Sequence, residues 1–310
     1  SLHDALPIWE TTMQLGLDIG GTKIEAVVLN DDGETVYRQR YTTPKQRYDL
    51  FFQAVIDAIT HAREATTHDL TIGLGIPGAA GRDGLIKNSN ILVLNQQPFV
   101  QQLEQHFAMP IPVTNDANCF TLSEAIDGGG KGYGVVFGVI LGTGCGGGLC
   151  VNNRLITGPN ACAGEWGHNA LPHYRVDLDG ASAQCYCGQM NCIESFISGS
   201  GLERQYFQKF SEHVRVPHII DQLNVGNPQA AQMWDLYRDQ LARALTQVSS
   251  GSPQRSDRLG RCPVSVRAAG HAPTNASRGS RKVQSPPLSG HVAAVHQHAR
   301  GRAHAPGHWL

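Results

Sequence analysis

Between Gly164 and Glu194 the chain gathers an unusual density of residues able to bind or react: GEWGH, a polar loop, then CYCGQMNCIE. Cys185, Cys187 and Cys192 supply three thiols within eight residues, and His168 stands seventeen residues before the first of them. One imidazole and three thiolates complete the closed tetrahedral donor set that suits structural zinc. Thiols at C-x-C-x4-C spacing turn inward more easily from a tight loop than from a helix or strand. The bland alternative is four unrelated residues, some of them core packing. Glu165 and Glu194 flank the set. Zinc with these four ligands needs no further charge, so the carboxylates point to something polar bound beside it.

Two glycine-rich stretches and one acid follow the same logic. Asp18-Ile-Gly20-Gly21-Thr22-Lys23 lacks the spacing of a Walker P-loop. Its glycines let backbone approach a phosphate, Thr22 offers a hydroxyl and Lys23 a cation. Asp18 could hold Mg2+ through water. An ordinary hairpin turn would also explain the run. Gly142-Thr143-Gly144-Cys145-Gly146-Gly147-Gly148 is a second such loop, about 120 residues later. Two loops, each after an apolar strand, suggest a duplicated fold gripping one phosphate chain. Asn115-Asp116 ends a short strand, where an α/β protein places an acid or base. Asp116 could accept a proton from an attacking hydroxyl, or it could simply cap the helix that follows.

Hydrophobic periodicity supplies the elements that must hold these groups. Leu15, Leu17 and Ile19 alternate with Gln14, Gly16 and Asp18, which predicts a half-buried strand. A second strand at 23–29, the turn Asn30-Asp31-Asp32-Gly33 and a third strand at 34–42 follow. A helix is predicted over 48–65 with Phe52, Val55, Ile59 and Ala62 on one face. Strands at 70–76, 111–114, 133–141 and 147–151 alternate with helices at 98–107 and 117–126. Further helices are predicted at 195–210, 217–224 and 228–248.

Composition sets the limits. The 310 residues are 41% hydrophobic and 16% charged with a formal charge of −1, which fits a soluble globular protein and argues against nucleic acid or membrane partners. The charge is uneven. Residues 249–310 hold eight Arg, Lys282 and one acid, Asp257, for +8; the other 248 residues carry 16 basic and 25 acidic groups, for −9. The eight cysteines have no disulfide-framework spacing, which points to a reducing cytoplasm. Residues 1–12 make no pattern and look like translated sequencing adapter, with Met13 as the start. Residues 249–310 lose all periodicity and are expected to be a disordered basic tail, read out of frame after Val248.

In this order and spacing, DIGGTK, Ile76-Pro77-Gly78, NDANC (115–119), GTGCGGG, GEWGH and CYCGQMNCIE resemble the motifs of ROK-family sugar kinases. The likeness runs from Met13 to about Val248. It implies an α/β protein of the actin-like ATPase (ribonuclease H-like) fold: two domains, 13–116 and 117–248, around a cleft, with a zinc-bound loop. It implies ATP-dependent phosphorylation of a hexose at its 6-hydroxyl, with Asp116 as general base and Asn115, Glu165, His168 and Glu194 contacting the sugar. Asp18, Gly20, Gly21, Thr22 and Lys23, and Gly142, Thr143, Gly144, Gly146, Gly147 and Gly148, fall on the ATP phosphate loops. His168, Cys185, Cys187 and Cys192 match the zinc ligands, and a homodimer is possible. KNSN (87–90), LNQQPF (94–99) and GEWGHNALP (164–172) tilt the resemblance towards fructokinases. N-acetylglucosamine, another hexosamine or glucose is the alternative substrate.

The sequence departs from the family pattern at two places. Asn191 stands where a glycine is usual; Asn is the side chain that best tolerates positive φ, so the knuckle should survive. After Val248 the family continues through an apolar strand into a Gly-Gly-Gly turn that helps hold adenosine, and SSGSPQRSDRLG stands there instead. A non-catalytic fragment is therefore a rival reading. A sugar-responsive repressor is another, disfavoured because no helix-turn-helix precedes Leu15.

Overall fold

The computed structural model describes residues 13–66, 68–159, 161–250, 264–268 and 292–294. It divides the chain into two compact units: the described residues up to Ser123 with Gly158–Ala161, and Glu124–Thr157 with the described residues from Cys162. In the first, β1 (Met13–Ile19), β2 (Lys23–Leu29) and β3 (Thr35–Thr42) form an antiparallel meander. Helix α1 (Tyr48–Glu64) returns the chain to β4 (Leu70–Ile76), which pairs parallel to β1. A hairpin of β5 (Ala79–Ala80) and β6 (Ile86–Lys87) and helix α2 (Phe99–Phe107) precede β7 (Val113–Asn115), parallel to β4, and α3 (Asp116–Ile126). The sheet order is β3-β2-β1-β4-β7. Its core joins Leu15, Leu17, Ile24, Ile72 and Leu74 of the sheet to Val55, Ile59 and Ala62 of α1. The expected face of α1 is buried at Val55, Ile59 and Ala62, but at its start Phe51 is fully buried and Phe52 only partly.

The second unit repeats this plan. Strands β8 (Val135–Leu141), β9 (Cys145–Val151) and β10 (Arg154–Ile156) form a second meander. Then come α4 (Val176–Asp179), α5 (Glu194–Ile197), α6 (Gly199–Phe210), α7 (Val216–Asn224) and α8 (Pro228–Ser250). Two strands close the sheet, β11 (Val264–Ala268) and β12 (Val292–Ala294), in the order β10-β9-β8-β11-β12. Each sheet is thus three antiparallel strands followed by two parallel ones. No helix among the described residues is long and apolar enough to cross a membrane.

The structure departs from the sequence reading at three points. The helix expected over 195–210 is broken at Ser198, whose Oγ accepts the Gly201 N–H at 3.0 Å and caps α6. Strand β9 starts at Cys145, so Gly146, Gly147 and Gly148 belong to a strand and the loop shrinks to Gly142–Gly144. The tail expected to lack structure contributes β11 and β12. Without β11, β8 would present an unpaired row of N–H and C=O groups. Val264, Val266 and Ala268 alternate with Ser265 and Arg267, a strand-like pattern that the polar average of the tail hides. The rest of the tail lies outside the described residues, as do residues 1–12.

Candidate functional site

Parallel pairing brings the carboxyl ends of β1, β4 and β7 to one edge of the first sheet. Asp18 is level with Gly75, and Ile76 with Asn115. Asp18 and Asp116 are both exposed there. The thiol of Cys119 feels both carboxylates: desolvation, then the charges of Asp18 and Asp116, push it well above the usual thiol range. The capping role weighed for Asp116 falls to Asn115, whose Oδ1 accepts the Asn118 N–H at 2.7 Å. Asp116 opens α3, and its Oδ1 accepts the Ala117 N–H at 2.8 Å. The N-terminus of α3 favours a carboxylate at this position.

The turn from β1 to β2 is closed by the Gly20 N–H donating to the Lys23 carbonyl at 2.8 Å. A buried residue that motif reading missed props it. Thr43 Oγ1 donates to the Gly20 carbonyl at 2.7 Å, and the Thr43 N–H to the Thr22 carbonyl at 3.2 Å. A Cβ at Gly21 would meet only Asn90 Oδ1, at 3.6 Å, so internal packing does not demand glycine there. The open backbone suits close approach of a phosphate. Thr22 is exposed, and Lys23 Nζ lies 3.4 Å from Glu25, which also pairs with Arg38 and Arg40. Asn90 itself is exposed on a segment held by Asn95, whose amide bonds Ser89 at both N–H and C=O.

In the second unit His168, Cys185, Cys187 and Cys192 each direct one ligand atom into a cluster, all within 4.8 Å of one another. His168 Nδ1 is 3.5 Å from Cys185 Sγ, and Cys187 Sγ is 3.6 Å from Cys192 Sγ. Burial pushes the Cys192 thiol up to about 12, with the neighbouring thiols adding to it, whereas the Gln189 N–H holds exposed Cys187 below the ordinary value. One imidazole and three thiols converging this closely are the donor number and type a tetrahedral divalent cation takes, so the set fits zinc. Asn191 has φ +58°, and its Oδ1 accepts from both Ala183 N and Ser182 Oγ at 2.9 Å. Tyr186, between two of the cysteines, places its hydroxyl 3.0 Å from His168 Nε2. Both nitrogens of His168 are thus engaged, and a sugar hydroxyl reaching Nε2 would displace Tyr186.

Glu165 and Glu194 both act on Cys145, whose thiol is raised by burial first and by these carboxylates after it. Glu194 also makes a contact no motif announces: its Oε2 accepts the Cys145 N–H at 2.8 Å. The glycines of β9 answer to a crossing segment. A Cβ on Gly147 would lie 2.7 Å from Trp166 Cδ1, and one on Gly164 (φ +95°) 2.5 Å from the Gly147 carbonyl. GEWGH therefore lies directly across the strand, and the Trp166 indole N–H donates to the Gly146 carbonyl at 3.0 Å. The crossing segment is by itself a packing reason for glycine at position 147.

Two sheets of one strand order, each with a glycine turn between its first two strands, define the actin-like ATPase class of mixed α/β protein. A model described as the ROK family matches residues 14–254, and the chain belongs to that family. The N-acetyl-D-glucosamine kinase of Pectobacterium atrosepticum is 38% identical over 237 residues, 75% of this chain and 78% of that protein. The ROK hexokinase of Thermus thermophilus superposes with a TM-score of 0.69 at 26% identity, over 83% of this chain and 82% of that one. A ROK family glucokinase from Streptomyces griseus, solved with glucose and AMPPNP, gives 0.62 at 26% identity, covering 83% of each. The tilt towards fructokinase is not supported by these relatives. Ser89 of KNSN and Asn95 of LNQQPF bond one another and so serve packing, which makes these segments poor discriminators of substrate.

Proposed function

We propose that this chain transfers the γ-phosphoryl group of ATP to the 6-hydroxyl of N-acetyl-D-glucosamine. The chain is a sugar kinase of the ROK family. The choice of an N-acetylhexosamine over fructose is carried by the 38% identity to the Pectobacterium enzyme. Asp116 is the general base that takes the proton of the attacking hydroxyl. Asn115, Glu165, His168 and Glu194 stay assigned to the sugar, with Asn90 added to them. The backbone of Asp18–Lys23 and Gly142–Gly144 steadies the phosphates. Mg2+ carried with ATP shields phosphate charge, and Asp18 is the carboxylate suited to hold it through water. His168, Cys185, Cys187 and Cys192 hold a structural zinc that fixes the loop bearing Glu165 and Glu194.

A sugar panel with coupled ADP detection tests the substrate. N-acetyl-D-glucosamine should give the highest kcat/KM, and faster turnover of fructose would overturn the assignment. Asp116→Asn keeps the shape of the side chain and removes its basicity. General bases contribute roughly 10²–10⁴-fold, so kcat should fall by about that factor while isothermal titration still detects the sugar. A kcat within tenfold of the parent would refute the role of Asp116.

A further inference from the structure

We propose that Glu194 is a positioning residue for the β8–β9 glycine turn, the link through which the His/Cys knuckle sets the shape of a phosphate loop. The inference rests on the kinase reading only in what the turn binds. The contact itself is plain. Glu194 Oε2 accepts the Cys145 N–H at 2.8 Å and would lie 2.8 Å from a Cβ on Gly144, so the carboxylate is pressed against the turn. Two neighbours in sequence complete the clasp. The Gly199 N–H donates to the Gly142 carbonyl at 2.7 Å, and Ser200 Oγ donates to the Thr143 carbonyl at 2.7 Å. Every residue of Gly142–Cys145 is therefore touched by the segment 194–200.

The knuckle delivers Glu194 to this position. Cys192 forms a bridge with Ala170, and its Sγ lies 3.4 Å from the His168 carbonyl. Ile193 is fully buried and its N–H donates to the Asn169 carbonyl at 2.8 Å. Ser195 N–H then donates to the Cys192 carbonyl at 2.9 Å. The backbone on either side of Glu194 is thus anchored to the cluster, and the side chain spans from cluster to turn. A carboxylate whose oxygen is committed to a main-chain N–H acts on the turn, whatever its second oxygen meets.

Amide exchange read by mass spectrometry on the peptide 142–148, with kinetics beside it, tests the inference. Glu194→Ala should speed exchange at Cys145 at least tenfold. It should raise the KM for ATP about tenfold, the lower bound for losing a hydrogen bond to a charged acceptor, in addition to the rise in sugar KM that its assigned sugar contact entails. Glu194→Gln retains an acceptor oxygen and should keep exchange at Cys145 and the KM for ATP within threefold of the parent, whatever it does to the sugar KM. Glu194→Asp withdraws the acceptor by one methylene and should speed exchange as Ala does, which keeps the test open if Ala fails to fold. Unchanged exchange in Ala and Asp, or a rise in sugar KM with ATP KM unmoved, would overturn the inference. Faster exchange in a protein whose parent transfers no phosphate from ATP would uphold the clasp and refute the kinase reading instead.

Discussion

Arg243 should be among the costliest side chains to remove from the second unit. Its guanidinium bonds Asp179 Oδ1 at 2.5 Å and Oδ2 at 3.3 Å, the Pro172 and His173 carbonyls at 2.8 and 3.3 Å, and Asp239 at 2.9 Å. The Asp179 side chain is completely buried and is also bonded by Gln240 and the Arg175 N–H. Burial raises the Asp179 carboxyl, but the bonds from Arg243, Arg175 and Gln240 outweigh it and leave it below its ordinary value. Removing one partner of a buried pair strands the other, at about 3–5 kcal/mol. Arg243→Met should therefore lose about that much in urea unfolding at pH 7. The pH dependence separates charge from packing. In the parent the folded carboxyl is depressed, so its contribution is present above the unfolded value of about 3.9 and fades as pH falls through the folded one. In Arg243→Met the buried carboxyl can protonate instead, so the deficit should widen as pH rises from about 4 to 7. Adding Asp179→Asn removes the stranded charge and should recover at least about 1 kcal/mol. A deficit that is flat with pH, or two substitutions that simply add, would refute the buried-charge account.

Two further outcomes bear on the knuckle. Asn191→Gly relieves a left-handed backbone, worth about 1 kcal/mol for Asn, but deletes two hydrogen bonds of roughly 0.5–1.5 kcal/mol each. It should destabilise the chain by up to about 2 kcal/mol in chemical denaturation, and a gain in stability would show that strain dominates there. Tyr186→Phe removes the outer partner of His168 Nε2 and should weaken zinc retention about 10-fold or more in competition with a chromophoric chelator. Unaltered competition would mean the His168 ring is oriented by its cysteine neighbours alone. Metal analysis of the parent should give one zinc per chain, and Cys187→Ser should lower it.

Local pattern carried much of the fold. Alternation at Leu15, Leu17 and Ile19 gave β1, and the same reasoning located β2, β4 and α8 to within two residues of their ends. What stayed hidden depends on contacts between distant residues. The Glu194 contact to Cys145 spans 49 positions, and no periodicity within either segment encodes it. Thr43 supports the first glycine turn from 23 residues away. Substrate choice was illegible for a related reason: the short segments that favoured fructose also serve packing, as Ser89 and Asn95 do.

Glycine illustrates how one residue type hides two causes. In Gly20–Gly21 nothing inside the protein crowds the missing side chain at position 21, which suits the phosphate role proposed for that turn. At Gly144 and Gly147 the space is already taken, by Glu194 Oε2 at 2.8 Å and by Trp166 at 2.7 Å. A run of glycines therefore reads as a phosphate loop whether its backbone is open to solvent or covered by its own chain. The two halves of this duplicated fold differ in that respect. The first turn is open and propped from behind by Thr43, whereas the second is clasped by the segment that follows the cysteines. Under the proposed function, one phosphate loop would take its shape from its own sheet and the other from an intact knuckle. Loss of zinc should accordingly reach the Gly142–Cys145 turn and leave the Asp18–Lys23 turn as it was.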